Sequence, residues 1–234
     1  MSDRRVLVIG RGSGIARAVT SALRAAGARV VVAGRDQEAL ANAYDDPGVE
    51  AEFVDLTDES SIAALAGRLG QVDHVVSTAS ARARGVVGDL AHDVVLKSFD
   101  VKVLGPLLLA KHFAPRLSED GSFVFFSGSS ARKPAAGMLA VGATNAAVDA
   151  LVRGLAVELA PLRVNAISPG TVDTGAYDGL GERKKAELFA TREATSPVRR
   201  VGRPEEIAEA VVFALNSTFL TGVSLAVDGG EPLV

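Results

Sequence analysis

The stretch Val6-Leu7-Val8-Ile9-Gly10-Arg11-Gly12-Ser13-Gly14-Ile15-Ala16 decides how this chain is read. Val6–Ile9 is a short apolar run with β-branched members, the pattern of a buried strand. Gly10, Gly12 and Gly14 follow, and Ala16–Ala26 is alanine-rich with apolar periodicity, which predicts a helix. A strand, a glycine turn and a helix together bring backbone N–H groups and a helix N-terminus up to a pyrophosphate. Glycine permits the tight turn and lets an anion approach without a Cβ in the way. An ordinary strand-to-helix turn would satisfy the same three glycines, so the rest of the chain has to decide.

Working outward, the strand-helix alternation continues. Strands are predicted at Arg29–Ala33, Ala51–Val54, Asp73–Ser77, Ser122–Phe126, Leu162–Ile167 and Val223–Val227. Helical patterns lie between them at Asp36–Ala43, Asp58–Gly67, Asp93–Arg116, Val141–Ala160 and Pro204–Leu215, several opening on acidic residues that suit a helix N-terminus. Alternation of this kind implies right-handed crossovers. The strands lack polar alternation, as expected for a sheet buried on both faces. The expected fold is a single α/β domain over residues 1–234. It is a doubly wound, Rossmann-type sandwich with seven mainly parallel strands. One long irregular stretch, 171–203, holds a short charged helix around Glu182–Arg192 and reads as a lid.

The chain's 234 residues suffice for one sizeable core, and 48% hydrophobic with 23% charged residues is ordinary for a globular domain. The net charge of −3 provides no basic field for nucleic acid. No apolar run approaches the ~20 residues of a membrane span, and Met1-Ser-Asp-Arg-Arg precedes the first strand without an apolar signal region. A cytoplasmic protein without a membrane or nucleic-acid partner is expected. The absence of cysteine excludes disulfides, thiolate catalysis and cysteine zinc sites. His74, His92 and His112 are scattered without ligand spacing, so no metal site is expected.

The end of the second strand bears on cofactor choice. An NAD-preferring domain usually carries an acid there for the ribose 2′-OH. This chain has Gly34 followed by Arg35, and a guanidinium can hold a 2′-phosphate by paired, charge-assisted hydrogen bonds. Arg11 is a second candidate phosphate partner. Solvated surface charge is the alternative for both. Asp36 reads as a helix N-cap.

Gly10-x-x-x-Gly14-x-Ala16 resembles the cofactor loop of the short-chain dehydrogenase/reductase family, with Ala16 replacing the third glycine. The resemblance extends along essentially the whole chain. It implies NADP(H) as cofactor, with Gly10, Arg11, Gly12, Ser13, Gly14 and Ile15 around the pyrophosphate. Gly34 and Arg35 would hold the adenosine ribose, and Asp55 and Leu56 would border adenine. Ser77, Thr78 and Ala79 stand where the family has an Asn-Asn-Ala-Gly turn. Asn165-Ala-Ile-Ser-Pro169-Gly170-Thr-Val172-Asp-Thr174 resembles the stretch beside nicotinamide, with Val172 facing the carboxamide and Thr174 the phosphates. Asp228-Gly229-Gly230 is also typical.

The family's four catalytic identities are missing. Aligned on Gly142-Ala-Thr-Asn145-Ala-Ala, the acid/base tyrosine position is Val141 and the lysine position is Asn145. The serine position falls on Gly128, with Ser127, Ser129 and Ser130 beside it, and the asparagine position is Lys102. Lysine and asparagine thus stand exchanged between two helices. Either an ammonium and an amide are kept in the pocket from swapped positions, or both positions have drifted. The candidate catalytic residues are Lys102, Ser129 and Asn145. Tyr177 in the lid, or water, is an alternative acid.

Two functions remain open: an NADP(H)-dependent oxidoreductase with an altered proton donor, or a catalytically inactive cofactor-binding member acting as sensor, scaffold or partner subunit. Different chemistry on the same scaffold, such as isomerisation, is a third. The substrate is a small molecule of unread identity. Arg82, Arg84, Arg132 and Lys133 make two pocket loops basic, which suits an anionic or carbonyl-rich ligand or plain surface charge. Helices apolar on more than one face, Val101–Ala110 and Ala146–Val152, imply a homo-oligomer, a tetramer or dimer.

Overall fold

The computed structural model describes residues 1–234. Seven strands form one sheet: β1 (Arg5–Ile9), β2 (Arg29–Gly34), β3 (Val49–Phe53), β4 (Val72–Ser77), β5 (Leu117–Phe126), β6 (Arg163–Pro169) and β7 (Ser224–Val227). Their order is β3-β2-β1-β4-β5-β6-β7, and every neighbouring pair is parallel. The sheet expected to be mainly parallel is therefore wholly so. Helices α1 (Gly14–Ala25), α2 (Gln37–Ala43), α3 (Glu59–Leu69), α4 (His92–Phe99), α5 (Gly105–Phe113), α6 (Leu139–Glu158), α7 (Glu182–Thr195) and α8 (Pro204–Asn216) cover it.

Successive residues of one strand serve opposite faces. Leu7 and Ile9 join Val31, Ala33, Val75, Phe123 and Phe125 in one core with α3, α5 and α6. Val6 and Val8 join Val30, Val32, Val76 and Val124 in the other, with α1 and α8. Both faces of each central strand are apolar because both are covered.

The strand order reverses between β1 and β4. Their carboxyl ends diverge there, and open sheets bind ligands in the crevice so formed. A second, polar depression at the opposite end of the strands is occupied by internal pairs, Arg5 with Glu50 and the Arg5 N–H with Asp73.

The helix expected over Asp93–Arg116 is continuous, from His92 to Arg116, but it is not α-helical throughout. Between α4 and α5, residues Asp100–Leu104 form a π-helical turn, and the Gly105 N–H reaches back to the Asp100 carbonyl. One extra residue per turn rotates the side chains that follow, and such turns cluster at functional sites. Lys102 sits in this turn and is buried. The lid helix also runs longer than expected, from Glu182 to Thr195.

Asp36 caps α2, accepting from the Ala39 N–H at 2.9 Å. The 20-residue α6 is long and apolar by composition, but Asn145, Asp149, Arg153 and Glu158 interrupt it. It is a core helix whose Val148, Val152 and Leu155 pack into the sheet and whose Asp149 accepts from the Ser224 hydroxyl at 2.6 Å. Both ends of the lid are pinned, since Val172 and Gly202 form an isolated parallel bridge, the Asp173 N–H donates to Gly202 O, and the Gly202 N–H donates to Thr171 O.

Candidate functional site

The glycine loop sits at the reversal point. A Cβ on Gly10 would collide with Thr78 Oγ1 and with Ala16 Cβ. The Thr78 hydroxyl and N–H both donate to Ile9 O, at 3.0 and 2.8 Å, so the turn after β4 braces the loop. Gly14 has φ +56, and a Cβ there would lie 2.9 Å from the Thr174 carbonyl. Glycine is required at Gly14 both for its left-handed backbone and for this close approach.

The N-terminus of α1 is open to an anion. Ser13 makes no capping bond and the first turn contains no acid, so the terminal N–H groups and the helix dipole are free for one. Arg11 and Arg35 are exposed at its rim and make no ion pair. These residues fit the pyrophosphate and the phosphorylated ribose of a dinucleotide. Of the proposed adenine-side residues, Asp55 binds the Thr57 N–H and hydroxyl, at 2.9 and 2.8 Å, and Leu56 is buried against Gly105. Ser77 and Ala79 flank the brace, Ser77 buried and Ala79 packed against the core.

From the loop a cleft of about 430 Å³ runs under the lid. It brings together Lys102, Ser129, Asn145, Pro169, Gly170, Val172 and Thr174, which are far apart in sequence, and adds Arg82, Arg84 and Tyr177 at its mouth. Lys102 Nζ donates to Ser127 O at 3.2 Å, and the Ser127 hydroxyl donates to Asn145 O at 3.1 Å. Lys102 and Asn145 therefore sit on either side of one residue.

Burial pushes the Lys102 ammonium down to about 7, the Arg82 charge adds to this, and Asp149 opposes it. Lys102 makes no ion pair; its one hydrogen-bond partner is the Ser127 carbonyl. Asn145 Nδ2 donates to Ser130 Oγ at 2.7 Å, and its buried Oδ1 has no partner. Ser129 lines the cleft, but the hydroxyl that meets Asn145 belongs to Ser130. Val141 lines the wall as an apolar group, with no proton to exchange.

Arg132 and Lys133 have a different task from the one their loop suggested. Arg132 pairs with Asp228 at 2.7 Å and donates to Ser168 Oγ at 3.0 Å. Lys133 donates to the carbonyls of Glu231, at 2.9 Å, and Val234. They fasten the C-terminal segment to the cleft wall. A further group, unread in the sequence, does the same. The buried Glu231 carboxylate accepts from the Thr171 N–H at 2.6 Å and hydroxyl at 3.2 Å, with Arg192 of the lid helix 3.9 Å away. No local pattern announces a contact spanning sixty residues.

Comparison with known proteins agrees with this geometry. The family model described as Enoyl-(Acyl carrier protein) reductase matches residues 9–231. The chain is 34% identical to a cis-4-hydroxycyclohexanecarboxylate dehydrogenase of Sinomonas cyclohexanicum, covering 100% of this chain and 98% of the relative. It is 34% identical to the short-chain dehydrogenase/reductase ucsE of an Acremonium species, over 99% of this chain and 96% of the relative. A crystal structure of a small-chain dehydrogenase in complex with NADPH superposes with a TM-score of 0.89 at 33% identity, covering 100% of both chains. Matched from end to end at this level, the chain belongs to the short-chain dehydrogenase/reductase family.

Proposed function

We propose that the chain is an NADP(H)-dependent oxidoreductase in which Lys102 exchanges the proton that the family pattern assigns to a tyrosine. When bound, the nicotinamide supplies or accepts the hydride. The chain's residues hold the cofactor and manage the proton. The open α1 terminus takes the pyrophosphate, and Arg35, standing where an acid would select NAD, takes the 2′-phosphate. NADPH in a structural relative that matches over the full chain supports this cofactor.

The observation that carries the proposal is Lys102 at the cleft floor, without a counter-ion and titrating near 7. A general acid works best when its pKa lies near the operating pH. Nζ is held by the Ser127 carbonyl, which leaves two of its three donors for a substrate oxygen. Val141 keeps the adjoining wall apolar, and this maintains the desolvation that tunes the lysine. Asn145 lines the cleft in the place where the family pattern has the lysine, its Oδ1 buried and unpartnered.

The test is Lys102→Met on any substrate found by screening ketones with NADPH and alcohols with NADP⁺. The expected loss in kcat is ~10²–10⁴-fold with NADPH affinity retained. Unchanged turnover would remove Lys102 as the acid. Collapse of NADPH binding would make it the displaced ribose anchor. The reading of a cofactor-binding protein without turnover is favoured by Val141, and it predicts NADPH binding with no turnover across the screen.

We also propose that the chain acts as a homo-oligomer. Supporting this, Val94, Leu96, Leu104 and Leu107 are exposed along α4, the π turn and α5, and Phe213 and Phe219 are exposed beside the sheet edge.

A further inference from the structure

The cleft is positively charged in a chain whose net charge is −3. Its cations fall into two sets. Lys133 and Arg192 are engaged with the C-terminal segment, as described above. Arg82, Arg84 and Lys102 are not, because none of them makes an ion pair.

The one carboxylate lining the cleft is Glu231. Its one ion pair is with Arg192, at 3.9 Å, and both its oxygens also accept from Thr171, so it forms no ion pair with the second set. Arg84 lies over the Tyr177 ring, 5.7 Å from its centroid, and so spans the mouth from the segment after β4 to the lid. A cation on an aromatic face stays charged and keeps its edge donors for a ligand. Arg82 stands beside it on the same segment, close enough for its charge to bear on Lys102. Like charges gathered in one cleft oppose folding unless a ligand resolves them, and a guanidinium fork matches a carboxylate with two parallel bonds.

We propose that Arg82 and Arg84 form the recognition site for a carboxylate on the substrate, so that the cleft takes a small oxo- or hydroxy-acid. This rests on the oxidoreductase reading for its chemistry alone. In reduction the carbonyl carbon gains the hydride of NADPH and its oxygen gains the Lys102 proton, giving the alcohol and NADP⁺. The carboxylate is bound and left unchanged. The two arginines set which substrate is held, and Lys102 serves the reacting oxygen.

The test reads binding without turnover. Cyclohexanecarboxylate and cyclohexanecarboxamide have the same shape and differ in charge, and neither carries a ketone or alcohol. Each is titrated by calorimetry into the protein with and without saturating NADPH. The carboxylate should bind at least tenfold more tightly than the amide, and the advantage should shrink as salt is raised. Arg82→Gln should abolish most of the advantage, and Arg82→Gln/Arg84→Gln all of it, with the circular dichroism spectrum unchanged and the melting temperature kept or raised, because both side chains are exposed and each change removes one of the like charges. Equal affinity of the pair, no binding of either up to 10 mM (about 3 kcal/mol), or an advantage that survives in the double variant would overturn the proposal. NADPH failing to bind would instead overturn the oxidoreductase reading, and the titration without cofactor would still decide the arginine site.

Discussion

The side-chain amide of Asn145 fills the space that a side chain at Gly128 would need. A Cβ on Gly128 would lie 2.7 Å from Asn145 Nδ2 and 3.3 Å from Cγ. The same Nδ2 donates to Ser130 Oγ at 2.7 Å. Gly128 is an extended residue with φ 172, so no backbone demand explains the glycine. A side chain at Gly128 and the amide of Asn145 would therefore compete for one space.

Gly128→Ser should accordingly displace Asn145 and cost ~1–3 kcal/mol, the usual range for overpacking. Asn145→Ala alone should be milder, since it removes a partner from Ser130 but also removes an unpartnered buried oxygen. In the Asn145→Ala background Gly128→Ser should cost less than it does alone, and a double-mutant cycle in urea measures this coupling. Additive costs would show that the two positions do not share the space.

Lys102 should make stability rise with pH. Its folded pKa, about 7, lies below the unfolded value of about 10.5. Between these values the unfolded chain binds more protons, so the slope of unfolding free energy with pH is positive there. Burial of the charged form is at its most costly below pH 7 and is relieved as pH climbs toward 10. Relative to Lys102→Met, the wild type should gain on the order of a few kcal/mol across this window. Urea midpoints of both proteins at pH 6.5 to 10 check this, and parallel curves would mean that the lysine is not desolvated.

His74 should act in the acid range. It is buried, its ring shares a 2.9 Å hydrogen bond with the Ser122 hydroxyl, and burial lowers it to about 4. Its stabilising contribution is present above the unfolded value of about 6.5 and is lost as pH falls through 4. His74→Asn should flatten the stability curve between pH 6.5 and 4, as read from thermal melts, while lowering stability at pH 7 through lost packing.

NADPH should bind more tightly than NADH, and Arg35→Asp should reverse the order. Losing a charge-assisted bond to the 2′-phosphate costs ~1.5–3 kcal/mol, and the new carboxylate would accept from a free 2′-OH. Calorimetric titration of both cofactors decides this. Equal affinities in the wild type would return Arg35 to the status of surface charge.

In solution the chain should be a dimer or tetramer at micromolar concentration, by light scattering. Leu104→Glu/Leu107→Glu places two charges in the exposed apolar stripe of the π turn and α5 and should lower the mass without unfolding the chain. A monomeric wild type would refute the oligomer.

The sequence by itself determined the architecture. Residue pairs such as Leu7 and Val8, both apolar on opposite faces, demand a sheet covered on two sides, and the spacing of the glycines after Ile9 sets the ligand end of the molecule. Val141, Asn145, Gly128 and Lys102 were legible too, as the residues at the positions that the family resemblance singles out.

Only the tertiary structure decided what surrounds those residues. The π turn that carries Lys102 leaves no mark that distinguishes Asp100–Leu104 from ordinary helix. That Lys102 lacks a counter-ion, that Gly128 and Asn145 share one space, and that Arg132 and Lys133 are engaged while Arg82 and Arg84 are not, all depend on contacts between segments tens of residues apart. Periodicity and spacing act within one element. The charge balance of a cleft, and the pKa that follows from it, is set by which elements the packed sheet brings together.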